Sequence, residues 1–305
     1  MKLDSLKISI CIPTKQRVEI LKKTILSMLK ENVDTSLYEI CISDNSPTDE
    51  TKNMILECFS DKKNIIYKKT KCKGFYNSIE ALKMGTGRFL KLHNDYSSFA
   101  GTFSDFVKEN ENISDDSVVS FTNGNLTESR NIRKFNSFDE FINFIHYYST
   151  WSSAFSILRK DFYKLLEQNI EIDKMFPHTS LLFDLQNKKN YIVNDRKYFN
   201  NQDVEKKGGY NLPETFGSRY LSMAEVLKNK KYITTNTLKK IKFKILTFIA
   251  DWYYKCKVYP NKYYFDYSGW QKIIESLYGK TGVSYIRFIY RKKILKFYLK
   301  KIIRK

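Results

Sequence analysis

The sequence predicts an α/β fold, a mostly parallel sheet flanked by helices, followed by a basic helical extension. Three observations carry this. Short β-rich runs alternate with segments of helical period through the first hundred residues. The first, second and fourth of these runs end in polar residues, as strands do when their carboxyl ends face a ligand. Charge divides unevenly: residues 1–227 hold 32 Lys+Arg against 30 Asp+Glu, and residues 228–305 hold 21 against 3. Nearly all of the net +20 therefore lies in the last quarter of the chain.

The elements follow in order. LKISICIPT (6–14) is a β-rich run ending at Pro13-Thr14. RVEILKKTILSMLKEN (17–32) repeats apolar residues at helical spacing. LYEICIS (37–43) is a second strand that runs into Asp44, and DETKNMILECFSD is a helix with Pro47 and Asp49 near its start. NIIYKKT (64–70) is a third strand. GFYNSIEALKMGTG (74–87) is a helix closed by glycines, and RFLKLHND (88–95) is a fourth strand. This β-α-β-α-β-α-β order implies parallel strands with right-handed crossovers. Pro13-Thr14, Asp44-Asn45 and Asn94-Asp95 then share the carboxyl edge, where such sheets bind ligands. Beyond residue 98 the alternation loosens. Helices are predicted around FSDFVKEN, FDEFINFIHYYS, PHTSLLFDLQNKK and NLPETFGSRYLSMAEVLKNK, with a strand in YIVNDRKYFNN.

With 305 residues and 42% hydrophobic content, the chain suffices for a full-sized domain plus an extension, or for two small domains. The five cysteines show no CxxC pair and no regular framework, which implies a reducing compartment. The opening MKLDSLKISICIP carries no small-residue cleavage site, and no window reaches the roughly 18 to 20 apolar residues of a membrane span. A cytoplasmic location is expected. The basic last quarter implies an anionic partner: a membrane surface, nucleic acid or an acidic polymer.

Three stretches, ISICIPTKQR, EICISDNSPTDET and GFYNSIEALKMGTGRFLKLHND, together resemble glycosyltransferase family 2, which has the GT-A fold. They look like that family's opening strand with its Pro-Thr-X-X-Arg turn, its nucleotide loop, and its approach to the metal-binding acid. The spelling is closest to bacterial surface-polysaccharide enzymes of the abequosyltransferase-like kind. The resemblance covers residues 7–98 well, is weaker to about 220 and is absent beyond.

The resemblance implies roles for individual residues. Asp44 becomes the acid that binds the nucleotide base, with Pro13, Thr14 and Asn45 around it. Arg17 reaches a phosphate or buttresses Asp44. Lys73 and Asn77 lie before and within the third helix, facing the nucleotide, and Asn94 holds the ribose. Asp95 is the metal ligand for Mn²⁺ or Mg²⁺. Here the chain departs from the family, because KLHNDYSS offers one acid where two or three are usual. Lys and Arg can stand in for an ion in stabilising a departing diphosphate. His93 points to the opposite strand face from Asn94 and is set aside. An inverting transferase also needs a base near the acceptor hydroxyl. His178, just inside a helix start, and Asp173 are the two candidates. Trp151 is a candidate acceptor platform. Plainer roles stand beside these: Asp44 as a turn cap, Asn77 as a helix cap, Trp151 and His178 as packed core.

The expected organisation is a catalytic domain over 1–235, divided into a nucleotide-sugar half (1–98) and an acceptor half (99–235). A basic, aromatic helical tail follows over 236–305. The expected activity is transfer of a sugar from a nucleotide-sugar donor to a lipid-linked or polysaccharide acceptor, with the tail holding the protein on the anionic inner face of the cell membrane. No nucleic acid is expected as partner, and oligomers remain open. Two other readings compete: a nucleic-acid-binding protein with a basic aromatic tail, and a degenerate transferase fold that only binds.

Overall fold

The computed structural model describes residues 7–127, 131–204 and 207–303. It divides into two compact units, Met1–Asp203 and Val204–Lys305. The boundary expected at 235/236 falls inside the second unit, at the start of a helix.

In the first unit the predicted alternation is present. Strands β1 (Ile8–Thr14), β2 (Tyr38–Asp44), β3 (Ile65–Lys69) and β4 (Phe89–Leu92) alternate with helices α1 (Val18–Leu29), α2 (Glu50–Phe59) and α3 (Asn77–Met84). A 3₁₀ turn, Gly74–Tyr76, leads into α3. Every residue of β2, and all but one of β1, is buried, as central strands covered on both faces must be. Strand β4 is shorter than the sequence predicts. Its ladder ends where the His93 amide donates to the Cys11 carbonyl at 2.8 Å, so His93, Asn94 and Asp95 lie in the turn beyond it. Gly87 stands where a Cβ would meet the Ile8 backbone at 2.9 Å, which explains glycine at the closure before β4.

The chain continues through β5 (Ser97–Phe99), α4 (Phe103–Asn110), β6 (Ser117–Phe121), β7 (Ile132–Phe135) and α5 (Phe138–Ile145). After two 3₁₀ turns come β8 (Ser156–Leu158), α6 (Arg159–Glu167), α7 (Pro177–Phe183), β9 (Asn190–Asn194) and β10 (Phe199–Asn201). The main sheet has the order β3-β2-β1-β4-β8, parallel except for β8. A second sheet, β6-β9-β7, and the pair β10-β5 complete the unit. Its core is aliphatic around β1 and β2 and aromatic around Phe99, Phe103, Phe106 and Phe199.

The second unit begins with β11 (Lys207–Asn211) and a π-helical run, Pro213–Tyr220, continuing into α8 (Leu221–Asn229). Two long helices follow, α9 (Thr235–Val258) and α10 (Trp270–Ile303), the latter broken at Gly279 with φ +67°. Between them β12 (Tyr263–Asp266) pairs with β11. The tail is thus mainly helical, as expected, with one strand the composition does not announce.

Candidate active site

The strand order reverses beside β1. From β1 the chain steps outward to β2 and β3, then returns so that β4 lies on the other side of β1. The carboxyl ends of β1 and β4 therefore flank a topological switch point, where open α/β sheets hold their ligands. Thr14 ends β1, and its hydroxyl donates to Asp95 Oδ2 at 2.8 Å. Arg17, capping α1, donates from Nη1 to Asp95 Oδ1 at 2.9 Å. The Thr24 hydroxyl holds the Asp95 carbonyl at 2.8 Å. Asp95 is buried, whereas the Arg17 side chain is 39% exposed. Burial pushes the Asp95 carboxyl up from the usual range, and the Arg17 charge and Thr14 hydroxyl pull the other way. The turn that delivers Arg17 passes through Gln16 at φ +53°, a conformation uncommon outside glycine. The Gln16 amide donates to Ser46 Oγ at 2.7 Å, tying this turn to the loop after β2.

Asp44 ends β2 and is fully buried. Its Oδ1 accepts the Ser46 amide at 2.8 Å and the Ser46 hydroxyl, and its Oδ2 accepts the Tyr67 hydroxyl at 3.0 Å. That contact and burial push the Tyr67 hydroxyl pKa up. Asp44 thus caps its own turn, and a ligand would add to these contacts rather than find a bare carboxylate. Asn77, the first residue of α3, is a hub. Its Nδ2 donates to the Ser43 carbonyl at 2.8 Å and the Thr14 carbonyl at 3.2 Å. Its Oδ1 accepts from Ser43 Oγ at 2.7 Å and from Thr70 Oγ1 at 3.2 Å. It clamps the ends of β1, β2 and β3 together. Asn45, half-buried, reaches the Cys72 carbonyl at 3.2 Å, and Lys73 is exposed on the rim.

A model of the family described as glycosyl transferase family 2 matches residues 9–166, more than half of the chain. The chain belongs to this family. Among solved structures, S. aureus TarS 1–349 in complex with UDP-GlcNAc is similar at 14% identity and a TM-score of 0.56, covering 95% of this chain and 92% of that one. A second structure of TarS 1–349 aligns at 18% identity and TM-score 0.51, covering 73% and 66%. A structure of S. aureus TarS aligns at 15% identity and TM-score 0.52, covering 90% of this chain and 46% of that one. At such identities the likeness speaks for the fold, which is of the GT-A type. No curated protein sequence matches.

The later part of the first unit meets the switch point through the segment 146–155. The Asn94 amide donates to Ser153 Oγ at 2.9 Å, Asn94 Oδ1 accepts the Ser152 hydroxyl, and Asn94 Nδ2 reaches the Tyr96 hydroxyl at 2.8 Å. On its other side the segment holds α7: the Thr179 hydroxyl donates to the Ser149 carbonyl at 2.9 Å, and His178 bonds the Thr150 backbone. The candidate base His178 is therefore joined to the strand end through one short segment. Burial pushes its imidazole down to about 4, and its Nε2 has no hydrogen-bond partner among the described residues. Asp173 Oδ1 instead accepts the amides of Met175 and Phe176 at 2.7 and 2.8 Å, capping the turn before α7. Trp151 is half-buried, packed against Phe199 and Tyr148. His93, which lies beyond the end of β4 and so on no strand face, is buried against Phe99, its Nε2 at 2.6 Å from the Ser97 carbonyl.

Asp95, expected as the metal ligand, is a buried carboxylate paired with the half-exposed Arg17, each of its oxygens accepting a hydrogen bond. Among the described residues no group of three His, Cys, Asp or Glu gathers as a metal set. Mn²⁺ and Mg²⁺ favour several oxygen ligands. One carboxylate paired with an arginine does not supply them alone; such ions commonly take one or two carboxylates together with substrate phosphates and water, so Asp95 would hold one only with a bound diphosphate.

Sequence reasoning missed Ser46, Tyr67, Thr24, Ser152 and Ser153. Ser46 lies in the loop after β2, a stretch the sequence singled out, and was legible there. Tyr67 sits inside an apolar run, and the two serines come from a segment more than fifty positions away, so only the fold brings them in.

Proposed function

We propose that the protein transfers a sugar from a nucleotide-sugar donor to a lipid-linked or polysaccharide acceptor, with inversion, in bacterial surface-glycan synthesis. The observation carrying this is the switch point of a family 2 fold, where Thr14, Arg17, Asn94 and Asp95 converge beside Asp44. In this reading Asp44, held by Ser46 and Tyr67, takes the base hydrogen, while Pro13, Thr14 and Asn45 form the pocket edge. Asn77 positions the strand ends. Arg17 spends one N–H on Asp95, and its guanidinium carries five. The remaining donors, on a half-exposed group, face the developing charge of the diphosphate, with Lys73 nearby on the rim. This positive charge from the chain works alongside any ion that Asp95 and the diphosphate hold together. TarS, a structural neighbour, was solved with UDP-GlcNAc, which supports a uridine nucleotide sugar as the first donor to test. The abequosyltransferase-like spelling supports a deoxyhexosyl or hexosyl donor.

His178 is the preferred base, and Trp151, which follows its partner Thr150 in the chain, is the proposed acceptor platform. Its buried imidazole is about as basic as the carboxylate the family commonly uses, and its Nε2 lone pair is open, while Asp173 is committed to a cap. Because Nε2 is shielded from solvent, an acceptor hydroxyl reaches it only after local rearrangement. The tail is proposed to seat the protein on an anionic membrane surface.

The ion pair at Asp95 favours a second reading, a fold that binds nucleotide sugars without turning them over. A thermal-shift panel of UDP-, GDP-, CDP- and dTDP-sugars, followed by donor hydrolysis, separates the two. Stabilisation with hydrolysis supports the transferase, stabilisation without it supports the binding protein, and no stabilisation rejects both.

A further inference from the structure

Helix α10 carries an apolar stripe that no described residue of its own unit covers. One face of the helix packs on α9: Ile274 and Ile286 are fully buried, Tyr253 lies edge-on to Tyr290, and Lys293 pairs with Asp251 at 2.6 Å. On the outer face Phe288, Leu295 and Leu299 are 59, 62 and 49% exposed. Their spacing of seven and four residues places them within about 40° of one another around the helix, at 100° per residue. Lys292 and Lys296 flank this stripe on one side, Arg287 and Arg291 on the other, with exposed Tyr298 among them. No acidic residue follows Glu275 in the chain. The sequence alone mixes charge and apolar residues through this stretch; the helical register separates them.

We propose that the Phe288–Leu295–Leu299 stripe inserts into the headgroup layer of an anionic bilayer, with the flanking cations on lipid phosphates. This rests on the tail's proposed membrane role and assigns it to one face. Apolar centre and cationic margins are the arrangement of an in-plane interfacial helix. No described helix is long and apolar enough to cross a membrane, consistent with a helix that lies on the surface. A second copy of the chain fits less well, because face-to-face pairing would bring Arg287, Arg291, Lys292 and Lys296 against their own kind. Nucleic acid would satisfy the margins but offers no apolar medium for Phe288 and the two leucines.

The test compares the full chain with the triple variant Phe288→Ser, Leu295→Ser, Leu299→Ser in co-sedimentation with phosphatidylcholine vesicles with and without about 30% phosphatidylglycerol. All three residues are about half exposed or more, at 49 to 62%, so serine is compatible with the fold, which circular dichroism verifies. As a second variant, Arg291→Gln/Lys292→Gln leaves the stripe intact. Wild type is expected to pellet with the anionic vesicles, more weakly at high salt. The triple variant should bind them roughly tenfold or more weakly, and the double variant should lose part of its preference for phosphatidylglycerol. Equal pelleting of wild type and triple variant, or no pelleting of wild type, overturns the proposal. A wild-type dimer that the triple variant abolishes, without vesicle binding, assigns the face to a second copy. Salt-dependent oligonucleotide binding, without vesicle binding, assigns the tail to nucleic acid. Donor hydrolysis is measured alongside: its persistence in the triple variant separates failure of this face from failure of the transferase reading.

Discussion

Replacing Arg17 with alanine tests the ion pair at the switch point. The change removes the guanidinium 2.9 Å from Asp95 Oδ1 and leaves a buried carboxylate with the Thr14 hydroxyl at its other oxygen. Two unit charges about 4 Å apart attract by roughly 4 kcal/mol at an effective dielectric of about 20. Arg17 is 39% exposed, and solvent screening of such a group removes roughly half of that, leaving about 2 kcal/mol. The assay is urea unfolding of wild type, Arg17→Ala, Asp95→Asn and the double variant at pH 7. Arg17→Ala should cost about 2 kcal/mol in the wild-type background and under about 0.5 kcal/mol beside Asp95→Asn. The pH dependence has a definite sign. Burial already raises the Asp95 pKa, and loss of the Arg17 charge raises it further. Between the unfolded and the folded value the folded state binds more protons, so the variant's stability falls as pH rises through that window and recovers on acidification. Equal cost in both backgrounds would refute the pairing as the source of the effect.

Other outcomes follow from the same geometry. Asp44→Asn keeps an acceptor for Ser46 and a polar group for Tyr67, so the fold should survive while donor affinity falls by about 1.5 to 3 kcal/mol in calorimetry; unchanged affinity would remove Asp44 from the base pocket. Lys91 is fully buried, donates to the Leu92 and Ser153 carbonyls at 2.6 Å, and is pushed down to about 7 by burial. The unfolded chain binds the extra proton between that value and the ordinary lysine value. Stability should therefore rise by roughly 2 kcal/mol from pH 7 to pH 9, and Lys91→Met should flatten the profile; a flat wild-type profile counts against it. Because Asp95 offers one carboxylate and a donor diphosphate would supply the other oxygens, Mn²⁺ binding in calorimetry should appear only with a donor present, and hydrolysis should fall in chelator and return with Mn²⁺; full hydrolysis in chelator would remove the ion and leave the diphosphate to Arg17 and Lys73.

The alternation of strands and helices over the first 95 residues was legible because central parallel strands must be apolar throughout and their helices must be amphipathic. Both are periods that a sequence displays. The polar strand ends were legible for the same reason, since a carboxylate such as Asp44 stands out against the run it terminates. The length of β4 was not legible. Its end depends on where Cys11 stops accepting hydrogen bonds, a property of the neighbouring strand. The stripe on α10 was hidden too, because composition averages over a helix and only its register sorts the faces.

The sequence by itself determined the fold class, the family and which residue types stand at the carboxyl edge of the sheet. Which of them pair was decided in three dimensions. Asp95 was an isolated acid in KLHNDYSS; a strained turn at Gln16 brings Arg17, 78 positions away, onto its carboxylate. Asn77 was a residue at a helix start; in the fold it joins three strand ends at once. His178 was the candidate base with Asp173 its rival; backbone amides at 2.7 and 2.8 Å occupy Asp173 Oδ1, while His178 Nε2 has no hydrogen-bond partner among the described residues. Such choices rest on hydrogen-bond distances between distant segments, and a carboxylate or an amide can read the same in sequence whether its lone pairs are free or already spent.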